Sequence, residues 1–185
     1  LNKYYPAYIR QPAKIPSRQS FSFDIQTRIV DEYIQLIDKN LSGFNNSHIR
    51  GSLNTSNNQL SLQADVPRFA YQKYVFNNAR ITATGDLEKL TLSGDLDNVI
   101  VADSLNLPQT HFEVVAQNDL SNIILTTSAN QGIDDARIAA QVQTFSDGVK
   151  ITFQPTTFVL NGKTWTIHEN GELVFRTSSV ATGTL

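Results

Sequence analysis

The sequence predicts a mainly β chain with one amphipathic helix near its start. Three observations carry this. From Ile49 onward, apolar and polar residues alternate with period two. Asn161-Gly162 and Asp147-Gly148 are dipeptides favoured in two-residue hairpin turns. RIVDEYIQLIDKNL is the one convincing stretch with helical spacing.

The elements follow in order. Residues 1–20 carry Pro6, Pro12 and Pro16 among Tyr and basic residues. Proline fixes φ and removes a donor, so this reads as an extended arm or linker. FSFDI places Phe21, Phe23 and Ile25 on one face of a strand. The helix is expected over 28–41, with Val30, Tyr33, Ile34, Ile37 and Leu41 as a stripe to be buried on a sheet. Asn40 to Gly43 supplies its stop. IRGSLN then sets Ile49 and Leu53 together, and QLSLQADV sets Leu60, Leu62, Ala64 and Val66 together, with Pro67 expected to end the strand.

ARITATG contributes Ile81 and Ala83, and KLTLSGDL contributes Leu90, Leu92 and Leu96, joined through Gly85-Asp86. SLNL offers Leu105 and Leu107, and HFEVVAQ offers Phe112, Val114 and Ala116. NIILTTS has three apolar residues in a row and no clean face. RIAAQVQT offers Ile138, Ala140 and Val142. A turn at Asp147-Gly148 would set Thr144 against Ile151 and Val142 against Phe153.

TTFVLNGKTWTIHENGELVF closes the series. A turn at Asn161-Gly162 pairs Leu160 with Lys163, Phe158 with Trp165 and Thr156 with Ile167. A second turn at Glu169-Asn170-Gly171 would pair Ile167 with Leu173 and Trp165 with Phe175. Three strands would then share one apolar wall, with Trp165 at its centre. Residues 177–185 read as a tail.

The outward positions are Ser, Thr, Asn, Gln, Asp and Lys almost throughout. Each strand therefore has one wet face and one apolar face. A sandwich, a closed barrel and a folded-over trough all satisfy that pattern. The net charge of −2 and the scattered Lys and Arg argue against a nucleic-acid footprint. Without Cys there are no disulfides, thiolate metal sites or Cys nucleophiles. The chain holds no Met, and its first residue is Leu1, so it reads as a fragment of something longer.

Catalytic patterns are absent. His48, His111 and His168 lack partners at metal-ligand spacing, and His111 alternates onto the polar face with Glu113. Asp95, Asp97, Asp134 and Asp135 read as turn acids rather than Ca²⁺ ligands. No phosphate loop and no nucleophile–base set is recognisable, so no enzyme activity and no cofactor is expected.

The stretch Gly51 to Tyr74, and the pattern Phe158, Leu160, Asn161, Trp165, Ile167, resemble the C-terminal half of TamB-like proteins of Bacteroidota-type envelopes, within the AsmA-like group. The resemblance covers about residues 21–176. It implies an internal or C-terminal-half segment of a protein anchored in the inner membrane and crossing the periplasm. It implies a long, curved, largely antiparallel sheet folded into an open trough, a β-taco. The trough would carry phospholipid toward the outer membrane, or assist outer-membrane protein assembly with an Omp85-class, TamA-like barrel partner. The implied groove lining is Leu60, Leu62, Ile81, Leu90, Leu92, Leu105, Leu107, Phe112, Val114, Ile138, Val142, Ile151, Phe153, Phe158, Leu160, Trp165 and Ile167. A structural or carbohydrate-binding β-module of a surface protein is the alternative, suggested by the Asn/Ser/Thr/Gln-rich outer face.

Overall fold

The computed structural model describes residues 4–8, 19–102, 105–128, 136–160, 162–169, 171–177 and 179–182. The expected turn positions Asn161 and Asn170 and the acids Asp134 and Asp135 lie outside them. The described chain is mainly β, with one short helix. Its strands are β1 (Ser20–Gln26), β2 (Leu41–Gly43), β3 (His48–Asn54), β4 (Gln59–Tyr71), β5 (Tyr74–Gly85), β6 (Leu90–Ala102) and β7 (Leu105–Gln117). They continue as β8 (Leu120–Thr127), β9 (Ala136–Phe145), β10 (Gly148–Phe153), β11 (Thr156–Leu160), β12 (Lys163–Ile167), β13 (Glu172–Arg176) and β14 (Ser179–Thr182). One antiparallel sheet runs in the order β1-β3-β4-β5-β6-β7-β8-β9-β10-β13-β14, with β2 paired to β4. It does not close into a barrel.

Among the described residues the sheet is a single layer. The solvent-accessible surface of the chain is 12266 Å², against about 8,900 Å² for a compact globular monomer of this mass. Half-buried residues therefore dominate the apolar side; small residues such as Ala116 and Ala136 are buried singly, and the larger buried apolar side chains of the sheet gather in one patch.

That patch lies at a transverse irregularity. Up to Val66, the inward residues of β4 are Leu60, Leu62, Ala64 and Val66. Beyond Pro67 and Arg68, both exposed, Phe69 packs against the core instead. β5, β6 and β7 change parity in the same lateral position, at Asn77-Asn78, Asp97-Asn98 and Pro108-Gln109. Each strand spends one extra residue there, so the pairing stays in step. Asn78 and Gln109 have φ of 48° and 45°, the left-handed conformation that bulges use. Opposite Pro67, the break between β2 and β3 falls at Phe44 to Ser47, where Phe44 N–H donates to the Arg68 carbonyl at 2.9 Å. Ala64, Val66, Ala79, Leu96 and Val99 form the buried cluster, backed by Phe44, Phe69, Phe76 and Leu107. Phe69 and Phe76 stack with centroids 4.5 Å apart.

This arrangement corrects three expectations. Asp95 and Asp97 are strand residues of β6, not turn acids. Pro67 does not end its strand, because its missing N–H falls where the ladder is already interrupted. SLNL and HFEVVAQ are one strand, β7, running through Pro108.

The helix is also shorter than expected. α1 (Asp31–Ile37) has seven residues, and Asp38 returns to extended backbone. Its stripe is not buried: Tyr33 and Ile37 are exposed, Ile37 at 80%. Polar contacts hold it instead. The Asp31 carboxylate accepts from Gly43 N–H and from the Asn45 amide, each at 2.6 Å, and Val30 N–H donates to Asn45 Oδ1 at 2.7 Å. With Leu41 drawn into β2, two turns of helix remain at the margin of the sheet.

The turn expected at Asp147-Gly148 falls one residue earlier, which shifts the strand pairing by two residues. Phe145 faces Gly148, Thr144 faces Val149 and Val142 faces Ile151, so the turn residues are Ser146 and Asp147. Gly148 is a strand residue. A Cβ there would collide with the Phe175 carbonyl oxygen of the neighbouring strand, which explains glycine at that position.

The closing hairpin keeps its predicted register, with Thr156 facing Ile167, Phe158 facing Trp165 and Leu160 facing Lys163. The expected third strand does not join it. Leu173 and Phe175 pair with Ile151 and Val149 of β10, and with β14 on the other side. The chain does not reverse between β12 and β13. β10 leads into β11 past Gln154-Pro155, and β12 leads into β13, so one long arm is interrupted near its middle. The strand β14 occupies what read as a tail.

Candidate functional site

The largest chemical feature is the apolar side of the sheet. Strand register aligns it into lateral rows. One row runs Phe23, Gly51, Leu62, Ala83, Leu92, Val114, Ile123, Ala140, Phe153. Nine strands contribute to it, which is roughly 40 Å across. A second row includes Leu53, Leu60, Leu90, Ala116, Val142, Ile151 and Leu173. A third runs Ile25, Ile49, Ala64, Ile81, Gly94, Phe112, Leu125, Ile138.

Thirteen of the residues expected to line a groove thus share this side. Leu60, Leu90, Val142, Ile151, Leu62, Leu92, Val114, Phe153, Ile81, Phe112 and Ile138 stand in the rows. Leu105 and Leu107 follow beyond the parity change, and Leu107 packs on the buried cluster. Phe158, Trp165 and Ile167 are not brought together with them. They stand on the β11–β12 arm, a separate two-stranded sheet, where Trp165 is 52% exposed. A two-stranded ribbon without a covering layer cannot bury an indole. The side chain of Leu160 lies outside the described residues.

Glycines lower the surface locally, and aromatic rings fill the dips. The Phe112 ring covers Gly94, the Phe23 ring covers Gly51, and the Tyr4 hydroxyl sits above Gly85. Rings over strand glycines restore contact area that the missing side chain would have supplied.

The N-terminal arm was expected to be extended. Its described part, Tyr4 to Tyr8, forms turns laid on one end of the sheet. Tyr4 is 7% exposed. Its hydroxyl donates to the Asp86 carbonyl at 2.7 Å, and its carbonyl accepts from Asp119 N–H at 2.7 Å. Ala7 N–H donates to the Asp119 carboxylate at 2.9 and 3.1 Å. The Tyr5 and Ser121 hydroxyls are 2.8 Å apart. Burial, then the Asp86 charge, raises the Tyr4 phenol pKa.

The opposite side is mostly polar, with Ala70, Val75, Ile100, Val115, Ile124 and Ala139 as apolar exceptions. Ser52 and Ser61 hydroxyls meet at 2.8 Å, and Thr82 and Ser93 at 2.9 Å. His111 places Nδ1 2.8 Å from Asp95 Oδ1 and Nε2 3.4 Å from Glu113 Oε1. The Asp95 hydrogen bond, aided by Glu113, raises the His111 pKa. His48 Nε2 lies 2.8 Å from Asp24 Oδ1. Among the described residues, no group of three or more His, Asp or Glu is placed to hold a metal. No helix among them is long and apolar enough to cross a membrane.

No family model, curated protein or solved structure matches this chain.

Proposed function

We propose that this chain is a non-catalytic segment of a periplasm-spanning, TamB-like envelope protein, and that its apolar side carries phospholipid acyl chains. One observation carries the reading: apolar rows in register across nine strands, with a mostly polar reverse side and, among the described residues, no layer over them beyond the short arm Tyr4 to Tyr8. Hydrocarbon tails satisfy such a surface without presenting polar groups that need partners. Headgroups would stay at the rim, in water. In this reading the parent protein is anchored in the inner membrane. It delivers phospholipid toward the outer membrane, or assists assembly there, with an Omp85-class barrel protein as partner.

The test is a photoreactive side chain in the parent protein in living cells. Placed at Leu92, on the apolar side, it should capture phospholipid. Placed at Ser93, one residue along on the polar side, it should not. Equal capture at both, or none at either, removes the support for a conduit.

The exposed Trp165 favours the second reading, a carbohydrate-binding β-module, because an accessible indole is a stacking platform for sugar rings. Quenching or shifting of its fluorescence by oligosaccharides would support that reading, and an unmoved spectrum would count against it.

A further inference from the structure

Between the docked N-terminal arm and the sheet lies an apolar cavity of about 540 Å³. Tyr5 and Tyr8 form its roof, and Val114, Ile123, Val142 and Val149 form its floor. The floor belongs to the apolar rows of β7, β8, β9 and β10, about 14 Å from the first strand to the last. We infer that this cavity is a seat for a single alkyl chain, with the arm as its fixed wall. The inference rests on the acyl-chain reading above and gives it a place.

Three features select that occupant. Among the described residues the cavity has no charged lining residue, so a headgroup there would be left without a counter-charge from them and is better placed outside. Of the lining hydroxyls, Tyr5 and Ser121 already face each other at 2.8 Å, which leaves Thr144 and the outward Tyr8. A peptide strand would bring backbone N–H and C=O groups that so few partners could not satisfy. An alkyl chain brings none. The volume falls within the range of ordinary small-ligand sites.

The roof is anchored rather than loosely draped. Tyr4 is buried, and both the Asp119 carboxylate and the Asp119 N–H hold arm backbone groups. Tyr8, at the mouth, is 67% exposed. Chain entry therefore needs movement of one side chain and not of the arm.

The experiment titrates octanoate, decanoate and dodecanoate into the full chain, below micelle formation, and follows methyl NMR signals. Perturbations should concentrate on Val114, Ile123, Val142 and Val149. Affinity should tighten about fourfold per added methylene. Tyr8→Ala, at a position 67% exposed, should weaken dodecanoate about tenfold by removing one aromatic wall. Val142→Trp, which fills the cavity, should abolish the local perturbation while circular dichroism stays unchanged. Perturbation spread evenly over Leu53, Leu60 and Leu62, indifferent to Tyr8→Ala, would overturn the seat but leave the conduit standing. No perturbation at any chain length would overturn both.

Discussion

Introducing a carboxylate at Leu92 and at Leu96 separates an open apolar side from a closed core. The two residues belong to one strand and both point inward. Leu96 is 5% exposed, packed among Ala64, Val66, Ala79 and Val99. Truncating such a leucine to alanine costs about 2–5 kcal/mol, and an unpaired buried charge adds to that. Against a total stability of about 5–15 kcal/mol, Leu96→Asp should leave little or no folded protein at room temperature. Leu92 is only half-buried, between Ala83 and Val114 on the open rows. Its new carboxylate reaches water. The loss is then part of the leucine transfer energy, about 1–2 kcal/mol, or a melting temperature lower by about 2–8 °C. Thermal and urea melts of both variants, with Leu92→Asn and Leu96→Asn as uncharged controls, read this directly. If Leu92→Asp unfolds the chain as Leu96→Asp does, the rows are covered and the single-layer description fails.

Three further outcomes follow. Gly148→Ala forces a Cβ into the Phe175 carbonyl. It should cost about 2–3 kcal/mol and speed hydrogen exchange in β13 and β14 first; unchanged exchange there would contradict the close approach. His111 has a folded pKa above its ordinary 6.5, set chiefly by Asp95. Its contribution to stability is therefore complete below about pH 6.5 and is lost as pH rises through the folded value. NMR titration should place its midpoint above 6.5 and return it toward 6.5 in Asp95→Asn. Trp165→Ala should change stability by no more than about 0.5 kcal/mol, with native Trp fluorescence open to aqueous quenchers; a blue-shifted, shielded spectrum would mean the indole is covered.

Much of this architecture was legible in residue order. Alternation located β3 to β7 and β9, the Asp147-Gly148 pair pointed to β10, and the Asn161-Gly162 pair set the register of β11 and β12. The misreadings share a cause: local patterns do not report which strand lies alongside. HENGELVF has the composition of a turn, yet β13 gains more by pairing with β10 and β14 than with β12. The helical stripe of Val30 to Leu41 looked long enough to bury, but its last residue is more useful to β2. NIILTTS had no clean face alone; register places Ile123 and Leu125 on the apolar side and Ile124 on the other. The parity change was readable and was missed. Apolar alternation slips by one residue at Pro67-Arg68, Asn77-Asn78, Asp97-Asn98 and Pro108-Gln109, each a polar or Pro-containing pair between apolar runs. Following parity through those pairs would have joined SLNL to HFEVVAQ and located the buried cluster. The docking of Tyr4 to Tyr8 had no sequence signal, since it depends on Asp119, more than a hundred residues away.

Under the acyl-chain proposal, the open apolar side of the sheet holds hydrocarbon in the native protein. Purification without detergent, followed by native mass spectrometry and lipid identification, tests it most directly. Phospholipid should be bound in stoichiometric amount and lost in Leu92→Asp. Lipid-free monomer with a cooperative, high-temperature melt would contradict it.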